Sequence, residues 1–276
     1  MVVIMDNSFL KAKALDIRES TIRTIGNFGS GHIGGAMSII EMLTFLYYEE
    51  MNLSKKDDRD RFICSKGHAG PAVYAVLADK GYFPKEWLST LNQGGTKLPS
   101  HCDMRKTPGV DFTAGSLGQG VSAAVGIALG QRLKNYTNSY TFVVIGDGES
   151  QEGEVWEAAE SASSWKLNNL IAFTDRNGQQ LDGYTKDIIN MEGLEKRWEG
   201  FNWYVQTIDG HNFDELRNAI KNAKNQKEKP SMIIMNTIKS KGFIPGERIV
   251  ANHSMTFDLN VAEKAIEELE RREKND

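Results

Sequence analysis

Cysteine and proline are scarce in this sequence: two cysteines and six prolines in 276 residues. Cys64 and Cys102 lack CxxC spacing, which excludes a disulfide scaffold and a thiolate zinc cluster and fits a reducing, cytoplasmic setting. The opening, MVVIMDNSF, is too short an apolar stretch for a secretory leader. No later run approaches the ~20 apolar residues of a membrane helix. A net charge of −4 gives no electrostatic case for nucleic acid or an anionic membrane as partner. Internal repeats and low-complexity segments are absent too, which excludes solenoids and long disordered linkers.

Glycine, in contrast, is plentiful. Of the 26 glycines, 16 gather at 26–35, 94–95, 109–130 and 146–153, marking sites more than linkers. Apolar residues at helical spacing predict a helix from Ser8 to about Ile25, a second over Ser38–Tyr48, and a third in GPAVYAVLADKG closed by Gly81. The polar stretch NQGGTKLPSHCDMRKTPGVDFTAGS is long for a connection inside a domain, and such loops tend to be functional. In the helix that follows, Gly120, Ala123, Ala124, Ile127 and Ala128 form a small-residue face, extended by Gly126 and Gly130. Close packing within the domain and a subunit interface are equally consistent with it.

From DRFICS onward, short apolar runs (YTFVVIG, NLIAFTD, WYVQTI, SMIIMNT) alternate with helical segments near 151–164, 193–199 and 214–226, and a charged helix opens at Asn260. That alternation predicts an α/β fold, a mainly parallel sheet with helices on both faces. Ligands bind such sheets beyond the carboxyl ends of the strands. Four polar residues fall on that rim: Asp147, Asn177, His211 and Lys241.

Asp147 lies in IGDGESQEG and Asn177 in DRNG, each just past a predicted strand with one helix between. A right-handed crossover sets such strand ends side by side. Either motif alone reads as a turn. Together they offer a carboxylate, an amide oxygen and free main-chain carbonyls, a donor set for Mg²⁺ (or Ca²⁺) completed by water and phosphate. Gly146 and Gly148 leave room for a polyanion against the backbone, and the following helix N-terminus favours its charge.

GDG followed about thirty residues later by Asn resembles the thiamine diphosphate motif, and the flanking blocks narrow the resemblance to the transketolase family. SGHIGGAMS, DRDRFICSKGHAGPAVYAVL, TPGVDFTAGSLGQGVSAAVG and LIAFTDRNGQQLDG are similar to its segments in order across residues 18–183, with a weaker tail to His253.

The resemblance implies that residues 1–276 form a single diphosphate-binding domain. Metal would be held by Asp147, Asn177 and the main-chain oxygen of Gln179. Thiamine diphosphate would be approached by Gly146, Gly148, Glu149, His68 and His253, with Gly115 and Leu117 at its aminopyrimidine end. His32, His101 and His68 would serve catalysis, and Glu152 a subunit interface. His211, in DGHN, is read as structural. The flanks of His253, ANHSMTFD, depart from the family pattern.

The implied reaction moves a two-carbon ketol unit from a ketose phosphate to an aldose, and its hydroxyl proton transfers suit histidine. The resemblance further implies a separate C-terminal subunit carrying the pyrimidine-binding domain, a heterotetramer, and sugar phosphate substrates of the pentose phosphate or apulose 4-phosphate type. The rival reading is the alpha subunit of a 2-oxo-acid dehydrogenase, opposed by SGHIGG and SKGHAGPAVY. A deoxyxylulose-phosphate synthase and a non-catalytic binding subunit stand further off.

Overall fold

Five apolar segments build the sheet: β1 Arg61–Cys64, β2 Thr141–Gly146, β3 Leu170–Arg176, β4 Tyr204–Asp209 and β5 Ser231–Asn236. Their order is β1-β2-β3-β5-β4, and every pairing is parallel. The structure is a computed structural model describing residues 4–54, 56–247 and 249–274. Residues 1–3 of the apolar opening and the last two of the terminal tail lie outside the described residues.

Alternation along each strand explains why both faces are covered. In β2, Phe142 and Val144 join the core under α1 (Asn7–Phe28) and α2 (Gly70–Asp79), while Val143 and Ile145 join a second core. That second core packs against α3 (Gln119–Leu133) and α4 (Gly153–Ser164). Helix α5 (Phe213–Lys224) covers the first face beside β4, and α6 (Leu259–Glu273) packs on α1. No helix among the described residues is long and apolar enough to cross a membrane.

The predicted helix Ser38–Tyr48 is present as a continuous run from Ile40 to Glu50, and a short helical turn precedes it across a two-residue interruption. Helical turns run Ile33–Met37 and Ile40–Phe45, then widen into a π-helix at Leu46–Glu50. The interruption falls where the Ser38 hydroxyl donates to the Asp175 carboxylate at 2.7 Å, a long-range contact that local periodicity cannot contain. The small face of α3 divides. Gly120 sits so tightly on β1's end that a Cβ there would come within 2.5 Å of Ser65 Oγ. Gly126 and Gly130 face open space.

Candidate functional site

The strand register sets the site. Gly146 pairs with Asp175, and Arg176 with Asn236, so the loops after β2, β3 and β5 emerge side by side. They border a cleft of roughly 320 Å³. The Asp147 side chain is almost fully buried there. Its Oδ1 accepts the Gly148 N–H at 2.8 Å, and its Oδ2 accepts the Gly178 N–H at 2.6 Å. Gly178 adopts φ +76°, a conformation open to glycine.

Two residues on from Asp175, Asn177 Nδ2 donates back to Asp175 Oδ2 at 2.8 Å, and Asn177 Oδ1 accepts the Gln179 N–H at 3.1 Å. Gln179 then pairs with Tyr184 in a two-residue antiparallel ladder that folds the loop back. Its side-chain oxygen is buried without a partner.

Four histidines meet across the same cleft. The His32 ring centroid lies 5.6 Å from His68, 5.3 Å from His101 and 5.4 Å from His253, and His68 lies 4.9 Å from His253. His253 arrives through a short ladder in which Ser30–Gly31 pairs with Met255–Thr256, tying the C-terminal segment to the strand just before His32. Burial lowers all four, assisted by His101 at His32, Lys66 at His68 and Lys239 at His253, which falls to about 4. At neutral pH the cluster is uncharged and able to accept protons.

Three charged residues that the sequence reading missed shape the site. Lys66 and Asp175, both buried, form an ion pair at 2.5 Å beneath the Asn177 loop. The Lys239 ammonium lines the cleft, donating to the Gln180 carbonyl at 3.3 Å, and burial together with Lys66 draws it down to about 8. Lysine defaults to solvent, so neither position announced burial. The available signal was an ionisable residue abutting an apolar strand: Lys66 two residues after RFIC, Asp175 inside LIAFTDR.

The other expected residues divide by what they touch. Gly115, Leu117, Gly146, Gly148 and Glu152 border the cleft. Glu149 does as well, but its carboxylate is engaged by Ser65 Oγ at 2.5 Å, Gly118 N–H at 2.9 Å and Gly146 N–H at 3.0 Å. It therefore clamps the two glycine loops together. His211 lies elsewhere: its Nδ1 meets Glu41 at 3.0 Å, and its Nε2 accepts the Ile238 N–H. Lys241 lies beside that pair, outside the cleft, its carbonyl accepting from Arg18 at 2.5 Å. Of the four rim residues named from sequence, Asp147 and Asn177 reach the cleft.

The donor set suits a hard cation. A buried carboxylate with only two backbone donors has a negative charge left uncompensated, and burial plus the neighbouring Asp175 raise Asp147 to about 7. An amide oxygen and main-chain carbonyls complete an all-oxygen environment. Among the described residues no group of three or more His, Cys, Asp and Glu is arranged for a metal, which sets aside a histidine–thiolate centre. At Gly35 a Cβ would come within 3.0 Å of His68 Nε2 and 3.1 Å of Lys66 Nζ, so that wall stays bare beside two nitrogen groups.

Fold and cleft thus define an α/β domain that presents hard oxygen ligands and anion-seeking nitrogens at the carboxyl ends of parallel strands. Residues 10–262 match the family described as transketolase, thiamine diphosphate binding domain, and the chain belongs to the transketolase family. It is 51% identical over 266 residues to a 6-deoxy-6-sulfo-D-fructose transketolase subunit of a Clostridium species, covering 95% of this chain and 96% of that one. One of the apulose-4-phosphate transketolase subunits, from Actinobacillus succinogenes, is 38% identical, with 94% of each chain covered. Among solved structures, transketolase from Campylobacter jejuni matches with a TM-score of 0.89 and 30% identity, over 96% of this chain and 43% of that one. The chain thus spans less than half the length of that solved transketolase.

Proposed function

We propose that this chain is the thiamine diphosphate-binding subunit of a two-subunit transketolase, transferring a two-carbon ketol unit from a ketose to an aldose. The observation that carries the reading is the single cleft in which Asp147, Asn177, Lys239 and four histidines meet. Asp147, Asn177 and the Gln179 carbonyl would hold Mg²⁺ (or Ca²⁺). His68, His253, Lys239 and Gly148 would hold the diphosphate, with Gly115 and Leu117 beside the ring. When bound, thiamine diphosphate supplies the carbanion that attacks the ketose carbonyl.

The protein's part is positioning and proton traffic. His32 and His101, neutral at working pH, accept and return the protons of the sugar hydroxyls. The other half of the site would come from a separate subunit with the pyrimidine-binding domain, in a cytoplasmic heterotetramer, with Glu152 at the joint. The names of the two relatives matched along their length, both transketolase subunits, support a two-chain enzyme. The 51% identity to the sulfofructose enzyme's subunit makes a 6-deoxy-6-sulfo ketose the first donor to test, ahead of apulose 4-phosphate and the ordinary pentose and heptulose phosphates.

The test is reconstitution. With thiamine diphosphate and Mg²⁺ the purified chain alone transfers no ketol unit, and turnover appears on adding the pyrimidine-domain subunit. Robust turnover by the isolated chain would contradict the two-chain reading. Activity on pyruvate in place of ketoses would select the 2-oxo-acid dehydrogenase reading.

A further inference from the structure

Asp175 is a fully buried, heavily engaged carboxylate that the reaction itself does not use. Its oxygens accept from Lys66 Nζ at 2.5 Å, Ser38 Oγ at 2.7 Å, Asn177 Nδ2 at 2.8 Å and the Thr237 hydroxyl. Three of these donors come from distant segments, so the carboxylate is held from several sides before Asn177 meets it. An ionised carboxylate accepts and cannot donate, so it admits only the Nδ2 edge of the neighbouring amide. The Gln179 N–H, on the other edge of Asn177, requires an acceptor and fixes Oδ1 there. One of the two amide orientations therefore satisfies both neighbours, and the opposite flip fails at both.

We propose that Asp175 is a positioning residue for the metal: through Asn177 Nδ2 it sets the amide so that an oxygen, not an NH₂, is offered toward the cation. Lys66 balances the buried charge that this task requires, and Ser38 and Thr237 lock the carboxylate. The idea rests on the metal-site reading above. It explains why an ion pair is buried directly under the loop, where an apolar pair of equal volume would serve stability as well, and why the helical turns are interrupted at Ser38, which reaches it.

A double-mutant cycle on the assembled enzyme tests it, with Mn²⁺ binding followed by electron paramagnetic resonance in the presence of thiamine diphosphate and folding checked by thermal melting. Asn177→Asp installs a nominally better metal ligand, yet it sets two carboxylates face to face without a donor. It should weaken Mn²⁺ binding by about tenfold or more. Asp175→Asn frees the amide to turn and should weaken it comparably. Asp175→Asn combined with Asn177→Asp should recover most of the loss, because a carboxylate at 177 has no wrong edge. A merely structural role for Asp175 would lower the melting temperature without that rescue.

Asn177→Asp binding Mn²⁺ as tightly as the native enzyme, or a double variant no tighter than the weaker single one, overturns the assignment. If Asp175→Asn does not fold, the Asn177→Asp measurement decides alone. Asp147→Ala separates the two levels. Intact Mn²⁺ binding there removes the metal reading and this proposal with it; loss there beside native-like Asn177→Asp removes only Asp175.

Discussion

Two buried charge clusters in this domain each set a carboxylate among cationic and histidine side chains, and they reach opposite balances. In the first, Arg18 donates to Glu41 at 2.6 Å and to two carbonyls, and the second Glu41 oxygen meets His211 at 3.0 Å. Burial alone would raise Glu41, but Arg18 and His211 overcome it and hold the carboxyl at about 2. In the second, around the cleft, Asp147 is pushed up to about 7, while Lys239 is drawn down to about 8 and His253 to about 4. The first cluster is complete as it stands. The second contains a carboxylate wanting a cation and, across the same space, nitrogens wanting an anion. A metal ion bound to a diphosphate would answer both needs at once, which is why perturbed groups in a cleft are informative where paired ones are not.

Breaking the first cluster should produce the largest effect. Glu41→Gln leaves Arg18 buried without its charge partner and should cost about 3–5 kcal/mol in denaturant unfolding, with cofactor affinity unchanged. Because the folded carboxyl sits at about 2, below its ordinary 4.5, its contribution is full above pH 4.5 and drains away as pH falls toward 2. The acid-induced loss of stability should therefore be shallower in Glu41→Gln than in the native chain.

In the cleft the balance inverts. Lys239→Met should weaken thiamine diphosphate binding by about ten- to a hundredfold, the worth of a charge-assisted hydrogen bond, and leave unfolding stability unharmed. The smallest effect is expected from Asp147→Asn without ligands. Removing an uncompensated buried charge should raise stability by about 0.5–2 kcal/mol at pH 8, in thermal or denaturant unfolding. The native group is raised from 3.8 to about 7, so the native chain gains stability as pH falls through that interval and the advantage of Asn disappears in acid.

The sheet was legible because its strands are apolar runs bounded by Gly, Asn and Asp, and all five appear where periodicity put them. Asp147 and Asn177 were legible because two strand-end polar motifs flank a single crossover. What escaped depends on distant contacts. The partner of Ser38, Asp175, lies 137 positions away. The family resemblance had placed His253 at this site, but its approach to His32 depends on the Ser30–Thr256 pairing, which no local pattern around ANHSMTFD encodes. Lys66 and Lys239 are ordinary surface residues by composition and become site residues only when the fold withdraws their solvent. His211 shows the converse, a rim histidine whose partners make it part of the scaffold.

The central claim is that the cleft awaits a metal and thiamine diphosphate together, and calorimetric titration of thiamine diphosphate into the assembled enzyme with and without Mg²⁺ tests it most directly. Binding should depend on Mg²⁺ in the native enzyme and lose that dependence, with most of its affinity, in Asp147→Ala. Equal affinity in the two proteins, or binding indifferent to Mg²⁺ in the native one, would contradict the account.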